Sequence, residues 1–264
     1  MLQKTTFFIF EHPNIMPKMK TEVKQVAEII KGSKHLTAFT GAGTSVESGI
    51  PPFRGENGIW NKYDPQIFDL EYFMAHPAED WKLIYEVFYK TIRNAQPNAA
   101  HYALAKLEAE GRLQAIITQN IDNLHYKAGS RNVIEFHGNT RQTVCLECGK
   151  MYPVAQIDFS DMPPRCSCGG LLKPDFVFFG EPIPSGALQA SYDEAQNADV
   201  FLIIGTTGVI YPAGQIPVLA KQNGATIIEI NVAPSEYTNR ITDLFIEQKA
   251  SSAMTKILNL LNIT

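Results

Sequence analysis

The chain has 264 residues, 45% of them hydrophobic and 19% charged, enough to bury a full core as one large domain or as a domain carrying an insert. Its net charge of −4 argues against a protein held to nucleic acid or to an anionic membrane by electrostatics. No apolar run reaches membrane-spanning length, and Phe7-Phe8-Ile9-Phe10 is too short for a signal-peptide core, so a cytoplasmic protein is expected, with residues 1–19 as an N-terminal extension.

Val23, Val26, Ala27, Ile29 and Ile30 predict a short amphipathic helix over 22–31, closed by Gly32. A strand over 35–40 then breaks into Gly41-Ala42-Gly43-Thr44-Ser45, followed by a helical stretch up to the turn at Gly49-Ile50-Pro51-Pro52. Glycines at 41 and 43 allow a tight turn and a close backbone approach to a pyrophosphate, with the free N–H groups of the following helix facing the anion. Val46 stands where the dinucleotide fingerprint has its third glycine, and no lysine follows as in a P-loop, so neither pattern fits cleanly. Pro51-Pro52-Phe53-Arg54-Gly55 opens an irregular segment to about residue 75, long enough to be a functional loop.

A helix is predicted over 76–94, with Trp81, Ile84, Tyr85, Phe88, Tyr89 and Ile92 as its core face, and a second one begins at Asn98 and ends at Gly111. The apolar strand over 113–118 runs into Gln119-Asn120-Ile121-Asp122-Asn123-Leu124-His125. Polar side chains at the C-terminal end of such a strand lie where open α/β sheets bind ligands, and Asn120 or Asp122 could cap the next helix at the same time. A third strand over 131–136 ends in His137-Gly138. A lone histidine is more often structural, but this one repeats the strand-end pattern and is read as functional.

All four cysteines lie between 145 and 168, a clustering that points to a metal rather than to disulfides. Cys145-x-x-Cys148 and Cys166-x-Cys168 can wrap a tetrahedral Zn²⁺ from two knuckles, with Gly169-Gly170 giving the shorter one backbone freedom. Four thiolates close the coordination sphere, so the zinc is expected to be structural and to clip together a small module over 140–173. The chain resumes as a strand-like run over 171–181, a helix over 188–196, and a strand over 199–204 that ends in Gly205-Thr206-Thr207-Gly208-Val209. A helix over 212–223, a strand over 225–230 ending at Asn231, and a last helix over 251–261 complete it. This alternation predicts an α/β fold: a Rossmann-like parallel sheet with helices on both faces, built from 20–139 and 174–264, with a small zinc-binding domain inserted in it and assisted by 51–95.

The ordered set Gly41-Ala42-Gly43-Thr44-Ser45, Gly49-Ile50-Pro51-Pro52-Phe53-Arg54, Gln119-Asn120-Ile121-Asp122, His137-Gly138, the cysteine pairs, Phe178-Phe179-Gly180-Glu181 and Gly205-Thr206-Thr207 to Tyr211-Pro212-Ala213 resembles the sirtuins over roughly residues 20–262. The resemblance implies an NAD⁺-dependent protein-lysine deacylase, in which the acyl oxygen attacks C1′ of the nicotinamide ribose, nicotinamide leaves, and the acyl group ends on ADP-ribose. It implies that His137 is the general base, that Asn120 positions water and ribose, and that Asp122 binds the nicotinamide carboxamide. Phe53 would shield the reacting face and Arg54 order the loop over the cofactor. Gly41, Ala42, Gly43, Thr44, Ser45, Gln119, Ile121, Gly205, Thr206, Thr207, Asn231, Val232 and Ala250 would complete the dinucleotide site. Val177, Phe178, Phe179, Gly180, Glu181 and Val209 would sandwich an acyl-lysine peptide as an added strand. Gly208 departs from the family, in which a bulkier residue is common. Sirtuins that favour acidic acyl groups carry Tyr-x-x-Arg; the helical stretch over 76–94 holds none, Tyr89 and Arg93 being four apart, so uncharged acyl groups, acetyl first, are expected. An NAD⁺ hydrolase or ADP-ribosyltransferase on the same scaffold, and a non-catalytic zinc-ribbon binding module, are the competing readings.

Overall fold

The computed structural model describes residues 15–55 and 58–263, so the expectations for residues 1–14 lie outside it. The first helix, α1 (Ile15–Gly32), starts earlier than expected and takes in residues 15–19 of the supposed extension. Strand β1 (Leu36–Thr40) follows, and the stretch after it, Ala42–Ser48, is a 3₁₀ helix and not an α-helix. The irregular segment contains short 3₁₀ turns and α2 (Leu70–Ala75), which is capped by the Asp69 carboxylate accepting from the Glu71 and Tyr72 N–H groups. The long aromatic helix is α3 (Pro77–Ile84) and α4 (Lys90–Asn94) joined through a π-helical stretch, Tyr85–Tyr89. Next come α5 (Ala99–Ala109), β2 (Leu113–Thr118), α6 (Leu124–Lys127) and β3 (Val133–Glu135).

Strands β4 (Gly138–Cys145), β5 (Met151–Pro153) and β6 (Leu172–Phe176) make a three-stranded antiparallel sheet carrying the cysteines. The chain then returns through α7 (Ser185–Asn197), β7 (Val200–Ile204), α8 (Ile216–Gln222), β8 (Thr226–Asn231), β9 (Leu244–Glu247) and α9 (Ala250–Leu260). The main sheet is six-stranded and parallel, in the order β3-β2-β1-β7-β8-β9. Side chains alternate across it. Leu36 and Ala38, with Leu202 and Ile204, pack under α1, α5 and α9, whereas Phe39, Phe201 and Ile203 pack under α7 and α8. Strand order reverses between β1 and β7, and the crevice beyond the carboxyl ends of those two strands is where such sheets bind ligands.

A third, aromatic core joins Phe68, Phe73, Trp81 and Phe88 to Phe176 and Phe178 of the smaller sheet's end, and the Trp81 Nε1–H donates to Leu172 O at 2.7 Å. Beside Trp81, Asp80 is fully buried, and neither carboxylate oxygen has a partner among the described residues. Burial, with Glu79 adding to it, pushes the Asp80 carboxyl up from 3.8 to about 7. A carboxyl whose pKa is higher folded than unfolded takes up its proton on folding, so its contribution turns unfavourable as pH rises from about 4 through about 7. Asp80→Asn removes the charge at nearly constant shape. The variant is expected to be more stable than wild type at pH 8, on the order of 2 kcal/mol, with the gain shrinking towards pH 5 in thermal unfolding. Destabilisation at pH 8 would show instead that the ionised carboxylate is compensated.

Candidate active site

Three strand ends converge at the crevice. After β1, the Gly41 N–H donates to Ile204 O at 3.0 Å and the Gly43 N–H to Gly205 O at 2.8 Å, which ties the loop after β1 to the loop after β7. A Cβ on Gly41 would lie 2.7 Å from Thr206 Cβ, and one on Gly43 would lie 2.7 Å from Gly205 Cα. Packing of two protein loops therefore requires these glycines, a second demand beside the approach to a phosphate expected from the sequence. The N–H groups of Ala42, Thr206 and Thr207 have no partner among the described residues and remain available to an anion. On the β2 side the Gln119 amide donates to Thr206 Oγ1 at 3.0 Å, and from β8 the Asn231 amide donates to Thr206 O at 2.9 Å. Gln119, Thr206 and Asn231 are thus one connected group.

Asn120 is buried and donates to Gly41 O at 3.1 Å and Ser45 Oγ at 3.2 Å, which leaves its Oδ1 as a further acceptor. The Ser45 hydroxyl donates to Asp122 at 2.6 Å, and the other Asp122 oxygen accepts from the Leu124 N–H at 2.9 Å, although the N-cap of α6 is Asn123 and not Asn120 or Asp122 as expected. Burial pushes the Asp122 carboxyl up, and the hydrogen bonds from Ser45 and Leu124 oppose it. His101 was not singled out from the sequence. It accepts from the Asn98 N–H at 3.3 Å in a capping box at the start of α5, and its Nε2 faces Ser45 Oγ at 3.5 Å. Its position three residues after the Asn98 cap was the available signal. Burial lowers the His101 imidazole to about 4, so it is a neutral structural donor.

His137 follows the β3 end. Its Nδ1 lies 3.2 Å from Gln119 O, and since a carbonyl can only accept, Nδ1 carries the proton and Nε2 is the free base. Burial lowers the His137 pKa below 6.5, opposed by the bond to Gln119. Phe53 packs its ring 5.3 Å from Trp60 and 6.2 Å from Phe88, while Arg54 is exposed. Neither is joined to His137 by a hydrogen bond or ring contact. Val232 is exposed, Ile121 half-buried, and Ala250 buried at the start of α9, where the Ser251 N–H reaches Glu47 at 3.0 Å.

The expected peptide-binding run is more committed to its own fold than the sequence implied. Phe178 is buried in the aromatic core and does not face a groove. The Phe179 N–H donates to Phe68 O and its carbonyl accepts from Leu70, while the Val177 N–H donates to His137 O. Glu181 turns inward to accept from the Phe178 N–H and to pair with the buried Lys173 ammonium at 3.0 Å. Lys173 also donates to Pro174 O and Phe176 O, so all three of its N–H groups are used. What remains for strand addition is the Gly180 backbone and the Val177 carbonyl, beside the exposed Phe179 and Val209 side chains.

The four thiols form a compact cluster, all sulfurs lying within 4.8 Å of one another. The Cys145–Cys168 and Cys148–Cys166 separations are both 3.6 Å, much longer than a disulfide and close to the edge of about 3.8 Å that Zn–S bonds of about 2.3 Å give a tetrahedron. Gly169 has φ +91°, and a Cβ on Gly170 would lie 2.8 Å from Cys145 Sγ, so this glycine pair does make the short knuckle feasible. The donor set fits one structural Zn²⁺.

Sheet, strand-end clusters and cysteine cage define a dinucleotide-binding α/β protein with a zinc module. The model of the Sir2 family matches residues 41–212. The chain is 45% identical to the NAD-dependent protein deacylase 2 of Pyrobaculum aerophilum over 235 residues, 88% of this chain and 93% of that protein. It is 43% identical to the NAD-dependent protein deacylase of Pyrococcus abyssi over 248 residues, 90% of this chain and 97% of that protein. Among solved structures, a Sir2 complex with a p53 peptide and NAD⁺ superposes with TM-score 0.85 at 34% identity, covering 92% of this chain and 99% of that one. A Sir2 bound to acetylated peptide gives TM-score 0.85 at 32% identity, covering 92% and 99%. The chain belongs to the Sir2 family.

Proposed function

We propose that this protein is an NAD⁺-dependent protein-lysine deacylase, acting on acetyl-lysine first, and producing nicotinamide, O-acyl-ADP-ribose and the free lysine. The observation that carries this reading is His137, its Nε2 left as a base and its Nδ1 held by the carbonyl of Gln119, the residue whose side-chain amide reaches Thr206 and which stands next to the buried Asn120. NAD⁺ supplies the ribose carbon from which nicotinamide leaves and to which the acyl oxygen bonds. His137 Nε2 takes the proton of a ribose hydroxyl, and Asn120 Oδ1 accepts from water or ribose. Asp122, held by Ser45 and Leu124, is the partner of the carboxamide. The unpartnered N–H groups of Ala42, Thr206 and Thr207 support pyrophosphate binding, and Phe53 and Arg54 lie on the loop that excludes water.

The peptide enters between Gly180 and Val209 as an added strand. Burial of Tyr89 and exposure of Arg93, which separates that pair, supports a preference for uncharged acyl groups. We divide the chain into a cofactor-binding part, 20–139 and 174–264, and the zinc module over 140–173. A cage of four reduced thiols, and no described helix long and apolar enough to cross a membrane, are consistent with a cytoplasmic location. Nicotinamide release from NAD⁺ is expected only when an acetyl-lysine peptide is present, with loss of the acetyl mass from the peptide. Release without peptide would replace this reading with NAD⁺ hydrolysis or ADP-ribosyl transfer.

A further inference from the structure

Gly208 has φ +77°, and a Cβ there would lie 2.8 Å from the Tyr237 ring. The bulkier residue common at this position in the family is therefore excluded twice, by backbone conformation and by a neighbouring aromatic. Tyr237 is 3% exposed and its hydroxyl donates to Gly214 O at 3.2 Å, spanning the base of the loop from 207 to 214. Inside that loop the Gly214 N–H donates to Ile210 O at 2.7 Å, and a Cβ on Gly214 would lie 2.6 Å from Gly208 O. The Glu236 N–H, next to the tyrosine, donates to Thr207 O at 3.1 Å.

The turn that presents Tyr237 is itself anchored. Glu229 on β8 is completely buried, and its carboxylate accepts from the hydroxyls of Ser235, Thr238 and Thr242 at 2.5, 2.9 and 2.8 Å. Ser235 Oγ in turn accepts from the Tyr237 N–H at 3.1 Å. Burial raises the Tyr237 phenol, with Tyr211 and Glu229 adding to it, so the hydroxyl stays a neutral donor.

The two ends of the loop after β7 are held differently. Gly205 and Thr206 are tied to Gly43, Gln119 and Asn231, independently of the tyrosine. Gly208, packed on the Tyr237 ring, and the turn on to Gly214 rest on the tyrosine, whereas Thr207, whose N–H is assigned to the cofactor, is held through its carbonyl by the Glu236 N–H; within the tyrosine-supported stretch Val209 is exposed. We propose that Tyr237, braced by the buried Glu229 carboxylate, is a positioning residue for the acyl-peptide, propping the loop that carries Val209 while leaving the cofactor side of that loop unaffected. The inference rests on the deacylase reading above.

Steady-state kinetics of peptide-dependent nicotinamide release, with each substrate varied in turn, tests it. Tyr237→Ala is expected to raise KM for an acetyl-lysine peptide about tenfold, with KM for NAD⁺ and kcat within about twofold of wild type. Tyr237→Phe keeps the ring and loses only the bond to Gly214, so a rise of about threefold in peptide KM is expected; this variant decides the matter if the alanine variant does not fold. An unchanged peptide KM, or an equal rise in both KM values, overturns the inference while wild-type activity stands. A wild type with no peptide-dependent release overturns the deacylase reading and the inference with it.

Discussion

Replacing His137 by alanine is expected to lower kcat for peptide deacylation by about 10²- to 10⁴-fold while NAD⁺ still binds, the range typical for loss of a positioned general base. The side chain meets the requirements for that role: Nδ1 is occupied by Gln119 O at 3.2 Å and Nε2 is left as the acceptor. The pH dependence follows from its burial. A base works in its neutral form, and burial lowers the His137 pKa from 6.5, so the acid limb of kcat/KM should fall below pH 6.5, with a plateau through neutrality. An acid limb above pH 7, or an alanine variant retaining more than a tenth of wild-type kcat, would remove His137 from the chemistry. Binding of NAD⁺ to the variant, read by thermal shift, separates loss of chemistry from loss of the site.

Cys145→Ser is expected to abolish zinc binding and to lower the unfolding temperature by about 10 °C or more. Structural zinc sites contribute many kcal/mol, and in a chain of this size each kcal/mol is worth about 2–4 °C. Cys145 is buried at the end of β4, where its N–H donates to Lys150 O and its sulfur lies against Gly170. The effect should reach the active site. Strand β4 begins at Gly138, immediately after His137, and pairs with β6 through Gly138 and Phe176, while the Val177 N–H holds His137 O. Loss of the cage loosens the register that fixes the base. Metal analysis, thermal unfolding and activity measured on the same preparation check this. Folded, reduced and active protein without bound zinc would sink the assignment.

Much of the site was legible because its signals are local. The polar ends of β1, β2, β3 and β7 could be read as strand termini that must face a ligand, because alternating apolar strands and helices admit only a covered parallel sheet. The cysteine spacing likewise carries its own geometry. Roles set by distant neighbours were not legible. Gly41 and Gly43 read as phosphate-approach glycines, and their packing against Gly205 and Thr206 is visible only in three dimensions. Phe178 read as a groove residue, yet the aromatic core takes it. Strand β9 went unrecognised because four residues after a polar turn have no periodicity of their own; pairing with β8 makes them a strand.

By itself, then, the sequence determined the fold class, the thiol cage and which strand ends carry the polar clusters, since each depends on residue type and spacing within a short window. Only the tertiary structure decided the protonation of His137, the coupling of His101, Ser45 and Asp122, and the support of the 207–214 loop by Tyr237 and Glu229. Those are contacts between segments far apart in the chain, formed because buried polar groups must find partners wherever packing brings them.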